Sequence, residues 1–127
     1  MRQLLFALVA LPLSAQTVRY QVSIPDPTTK LFHVEATFPV SGIDTLYVAL
    51  PAWSPGNYEI QNYARFVRHF DAKDASGRAL FWDRADKTTW RVPTGGARSI
   101  TLSFDELADT IDLSMARIHG DLAQFLG

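Results

Sequence analysis

The chain has 127 residues, 12 Lys and Arg against 13 Asp and Glu, and no cysteine. That length suits one domain, and the near-neutral balance without a basic stripe argues against a nucleic-acid partner. The missing cysteines exclude disulfides, thiol catalysis and cysteine-ligated metals.

The first segment reads as a secretory signal. Arg2 supplies the positive start, residues 4–11 (LLFALVAL) form an apolar run too short to span a bilayer, and Pro12 breaks it. Leu13-Ser14-Ala15 ends on a small residue suited to cleavage before Gln16. Loss of residues 1–15 removes one base and leaves 112 residues with a net charge of −2. The export this implies is periplasmic or extracellular, and no later run is long enough for a stable membrane span.

From Thr17 onward the hydrophobic period is two. Val18, Tyr20, Val22 and Ile24 alternate with polar residues and predict a half-buried strand, ended by the Pro25-Asp26-Pro27 turn. Residues 31–38 repeat the pattern with Phe32, Val34, Ala36 and Phe38 on one side and His33, Glu35 and Thr37 on the other. Residues 45–50 follow, with Leu46, Val48 and Leu50 in phase. The stretch 50–70, LPAWSPGNYEIQNYARFVRHF, combines the breakers Pro51, Pro55 and Gly56 with Trp53, Tyr58, Tyr63, Phe66 and Phe70, which predicts a loop packed down on the domain. A short helical turn is expected within 59–65, and Pro55-Gly56 suits a type II turn. Strands are expected at 66–72, 79–82, 89–92 and 99–104, the second joined to the first through the Asp74-Ala75-Ser76-Gly77 turn.

About seven short strands with turns every eight to twelve residues imply an all-β antiparallel sandwich spanning 16–104. Residues 105–127 read differently, as an acidic and then apolar connector, irregular or helical, with Asp105, Glu106, Asp109 and Asp112 near its start. The apolar ending Phe125-Leu126-Gly127 reads as an interruption of a longer polypeptide.

Three segments together resemble the N-terminal domain of the glycyl aminopeptidases, zinc metallopeptidases of family sixty-one. These are YQVSIPDPTTKLFHVEATF (20–38), LPAWSPGNYEIQNYARFVRHFDAKDASGRAL (50–80) and DKTTWRV (86–92). Within the second, Trp53-Ser54-Pro55-Gly56-Asn57-Tyr58 is similar to the family signature W-[ST]-P-G-x-Y. The resemblance implies a β domain placed before a thermolysin-like catalytic domain, whose zinc is held by H-E-x-x-H and a further Glu. None of His33, His69 and His119 stands in such a motif, so no catalytic residue and no cofactor is assigned to this chain.

Other chemistry is thin. His33 with Glu35, and His69 with Asp71, each offer two ligands on one strand face, short of the three or four that a zinc site needs. A structural or solvated role is preferred for both pairs. Asp105, Glu106, Asp109 and Asp112 lack the spacing of a calcium loop, and no serine lies in G-x-S-x-G. Trp53, Tyr58, Tyr63, Trp82 and Trp90 suit either a sugar or peptide platform or the sandwich core, with the core preferred.

The expected function is therefore that of a non-catalytic domain of an exported aminopeptidase, inactive alone. Its partner would be the catalytic domain of the same polypeptide, with peptide substrate contacted indirectly. Trp53, Pro55, Gly56, Tyr58 and Tyr63 are the candidates for binding or domain docking. The alternative is a free-standing secreted module that binds carbohydrate or peptide.

Overall fold

The computed structural model describes residues 17–53, 59–109, 117–119 and 122–124, without the side chains of His119 and Gln124. Within them the chain is an antiparallel β-sandwich with two short 3-10 turns and no α-helix. The strands are β1 (Arg19–Ser23), β2 (Leu31–Pro39), β3 (Thr45–Ala49), β4 (Val67–Asp74), β5 (Asp83–Arg84), β6 (Thr89–Pro93), β7 (Ser99–Leu107), β8 (Arg117–His119) and β9 (Leu122–Gln124). One sheet has the order β1-β2-β7-β4, the second β3-β6-β5, and β8-β9 is a separate pair.

The core follows from the alternation. Ala36 on β2, Ile100 and Leu102 on β7 and Ala72 on β4 are buried, as are Trp90 and Val92 on β6. Leu46, Val48, Phe70, Leu80 and Trp82 pack around these residues from the surrounding strands and loops. Phe70 is central to the aromatic part. It stacks on Trp90 at 5.0 Å, meets Trp82 edge-on at 4.9 Å and lies 6.4 Å from Phe104. Edge-to-face and offset stacking of this kind adds to the burial of the rings themselves.

Three expectations need correction. β1 is exposed rather than half-buried: Tyr20 is 68% and Val22 43% accessible. Their register partners Ala36 and Val34 place them on the core-facing side of the sheet, yet they stay accessible there. The segment 79–82 alternates as expected, with Leu80 and Trp82 partly buried and Phe81 exposed, but ladder pairing starts only at Asp83. Before that, Leu80 N–H donates to Ala72 C=O at 2.8 Å and a single bridge joins Ala79 to Lys73.

The last sandwich strand does not stop at Phe104. It continues to Leu107, so Asp105 and Glu106 belong to the sheet and not to a connector. Beyond it, the described C-terminal residues are extended, with Ile118 buried against Phe32 and Ala108. Ile118 N–H donates to Ala108 C=O at 3.0 Å, which ties that segment to the end of β7.

The expected strand at 66–72 is present as β4, with one irregularity. Arg68 pairs with Asp105 and Asp71 with Ser103, so His69 and Phe70 together oppose the single residue Phe104. This is a β-bulge, and His69 takes a left-handed conformation at φ 51°. The extra residue resets the phase. Val67 faces the core before the bulge, and Phe70 and Ala72 face it afterwards. Simple alternation would have turned Phe70 to solvent.

Candidate functional site

Two places collect polar side chains from distant parts of the sequence. The first is the outer face of the four-stranded sheet. Asp105 on β7 stands between its neighbours β2 and β4, and both send a histidine to it. His33 Nδ1 lies 2.7 Å from Asp105 Oδ1, and His69 Nδ1 lies 2.7 Å from Asp105 Oδ2. With the carboxylate ionised, both rings donate through Nδ1–H. His33 is the direct register partner of Asp105, whereas His69 reaches it because of the bulge.

Burial pushes the Asp105 carboxyl upward, but hydrogen bonds from His33 and His69, with their charges, outweigh this and hold it below the usual carboxylate range. Each histidine is therefore engaged by a residue other than the one suggested by its sequence neighbourhood. Glu35 stays 3.7 Å from His33 Nε2, and Asp71 accepts from Ala72 N–H at 2.9 Å and faces Lys73 Nζ at 3.2 Å. Among the described residues, no group of three or more His, Asp or Glu is arranged to hold a metal ion. The arrangement reads as a clamp across three strands.

The second place is at the base of the central loop. Ala52 C=O accepts from Gln61 N–H at 2.8 Å and from Asn62 N–H at 3.4 Å, which brings the two ends of the loop together. Asn62 then turns the chain in a left-handed conformation (φ 48°) into the 3-10 turn Tyr63–Phe66. Ala64 and Val67 plug this turn into the core beside Trp90.

Trp53, at the mouth of the loop, is 49% accessible and so is not a core residue. Tyr63 is half-buried. Pro55, Gly56 and Tyr58 lie outside the described residues, as does the expected Pro55-Gly56 turn. Trp82 and Trp90 do join the core.

Beside that base lies an open cleft of about 610 Å³ lined by Asn62, Arg65, Arg84, Asp86 and Lys87. Arg84 and Trp90 are register partners, and cross-strand partners share a face. The Arg84 guanidinium accordingly sits 4.3 Å over the Trp90 ring, and its Nη1 donates to Lys87 C=O at 2.8 Å. The Arg65 guanidinium lies 4.6 Å over Phe66. No sequence spacing pointed to these residues, because they come from separate turns.

Comparison with known proteins decides the lineage. The Peptidase M61 N-terminal domain family matches residues 19–126. The chain belongs to that family. Among solved structures, it is similar to an aminopeptidase N family protein from Idiomarina loihiensis, with a TM-score of 0.73 and 20% sequence identity. The match covers 80% of this chain and 17% of that one, so the chain spans about a sixth of its length. At that identity the likeness is one of fold. No curated protein matches the chain. In this Peptidase M61 N-terminal domain, the two ends of the central loop meet at Ala52, and Asn62 at one of those ends lines the cationic cleft.

Proposed function

We propose that the chain is the non-catalytic N-terminal domain of a secreted zinc aminopeptidase of the glycyl aminopeptidase kind, packing against the catalytic domain and helping to shape its substrate cleft. The family match over residues 19–126 is the observation that carries this reading. The zinc belongs to an H-E-x-x-H motif, which the 127 residues do not contain. Residues 1–15 act as the export signal, and among the described residues no helix is long and apolar enough to cross a membrane. The surfaces assigned to docking are the loop 53–63 and the stretch that follows β7, from residue 108 onward.

The test is to read the coding sequence beyond Gly127 in all frames and to assay the joined polypeptide. An H-E-x-x-H followed by a further Glu, with aminopeptidase activity that needs both parts, is the expected result. Unrelated sequence downstream, together with a stable monomeric domain, would overturn it. The half-exposed Trp53 favours the second reading in that case, a secreted module for peptide or carbohydrate.

A further inference from the structure

We infer that the cleft formed by Asn62, Arg65, Arg84 and Lys87 is a carboxylate-binding subsite that receives an acidic group of a bound peptide. The cleft gathers three cations and one carboxylate, leaving two net positive charges. Asp86 does little to neutralise them directly. Its Oδ1 accepts from Thr88 N–H at 2.7 Å and Thr88 Oγ1 at 3.0 Å, and its Oδ2 accepts from Thr89 Oγ1 at 3.0 Å. Both oxygens are thus turned into the β5–β6 connection.

The two arginines are each stacked on an aromatic ring. Arg84 is held from below by Trp90, which is buried, and from the side by Lys87 C=O. Arg65 rests on Phe66. Neither pairs with a carboxylate among the described residues. Elsewhere Arg91 pairs with Asp83, Arg78 with Asp74, Lys73 with Asp71 and Lys30 with Asp109, while Arg68 donates only to backbone carbonyls. What sets Arg65 and Arg84 apart is that both stack on an aromatic ring at one cleft. Stacked guanidinium groups keep their in-plane N–H donors free, and a planar oxyanion meets two of these at once. Pre-positioning lowers the ordering cost of that contact. Asn62 adds an amide at the same rim. A carboxylate fits this donor set, and a peptide supplies one at its C-terminus or on Asp and Glu side chains.

This rests on the peptidase reading for the identity of the ligand, and its test is separate from that reading. The purified chain is titrated with an acidic tripeptide bearing a free C-terminal carboxylate, with its fully amidated neutral counterpart and with inorganic phosphate. Resonances of Asn62, Arg65, Arg84 and Lys87 are followed by NMR. Saturable shifts with the acidic peptide alone, weakened about tenfold from low to physiological salt, are the expected result.

Lys87→Gln and Arg84→Gln should each weaken binding about tenfold. Arg84 also covers Trp90, so Lys87→Gln remains informative if the Arg84 variant fails to fold. Equal shifts with the neutral peptide, preference for phosphate over the peptide, or unchanged affinity in Lys87→Gln would each overturn the proposal. None of these outcomes bears on whether an H-E-x-x-H domain follows in the same polypeptide, so the two readings fail separately.

Discussion

Asp105 and Glu106 follow one another on β7 and therefore stand on opposite faces of the same sheet. Asp105 faces outward, meets two imidazoles and is held below the usual carboxylate range, against the upward push of its partial burial. Glu106 faces inward between its register partners Phe32 and Val67, both buried, and burial alone pushes its carboxyl up. It has no hydrogen-bond donor from another side chain among the described residues. The two acids thus differ in surroundings rather than in kind. The outer face turns a carboxylate into a cross-strand clamp, and the inner face tolerates one at the edge of the core.

The largest change to this contrast comes at His69, which both forms the bulge and supplies half of the clamp. A β-branched residue is poorly tolerated at positive φ, and the bond to Asp105 is lost as well. His69→Val should destabilise the domain by roughly 2–3 kcal/mol. His69→Gly loses the same imidazole but accepts the backbone conformation without strain, so it should cost no more than about 1 kcal/mol. Urea midpoints of the two variants measure the difference. Equal losses would show that the bulge carries no strain and that only the hydrogen bond counts.

Asp105→Asn tests the clamp without touching the backbone. Hydrogen bonds to a charged group are the stronger kind, and the expected loss at neutral pH is about 1–2 kcal/mol. Because the folded-state carboxyl is depressed, its stabilising contribution is present above the unfolded aspartate range near pH 4 and fades as pH falls through the lower folded value. Thermal melts of the native chain and Asp105→Asn should therefore converge in strong acid. A gap that stays constant from neutral pH into strong acid would mean that the imidazoles do not hold the ionised form.

The strands themselves were legible because apolar residues recur every second position at Phe32, Val34, Ala36 and Phe38 and again at Ile100, Leu102 and Phe104. Two kinds of feature were not. Pairing of His33 and His69 with Asp105 spans up to 72 residues of sequence and depends on β7 lying between β2 and β4, which alternation does not reveal. The same holds for the cleft, whose cations come from separate turns.

The bulge did leave a trace. Val67 and Phe70 are three apart where a regular strand would place its inward residues two apart, and that slip marks the inserted residue. The exposure of Trp53 had no such signal, since a tryptophan beside Pro and Gly reads the same whether it lies under the loop or outside it. Nor did β1 announce its exposure. Its alternation fixes which side Tyr20 and Val22 face, while whether anything packs over that side depends on segments distant in sequence.

Glu106→Gln should produce the smallest effect and the opposite sign. A raised carboxyl means that the unfolded chain ionises more readily than the folded one, so the native acid destabilises the domain once pH rises above the unfolded glutamate range. The neutral amide removes that penalty but still carries polar atoms on an apolar face. A gain below about 1 kcal/mol is expected at pH 7, and it should disappear near pH 3, where the native glutamic acid is itself neutral. Asp105 favours folding more as pH rises through the acid range, and Glu106 favours it less, so the two slopes partly cancel in the native chain. Combining Asp105→Asn with Glu106→Gln removes both. Asp26, Asp74, Asp83 and Asp86 are also held below the usual carboxylate range by neighbouring hydrogen bonds, so the double variant keeps a slope of its own. Acid-range melts steeper than that baseline for Glu106→Gln and shallower for Asp105→Asn, with the two differences adding up in the native chain, would show that the two faces of β7 titrate independently; differences that do not add would show that they are coupled.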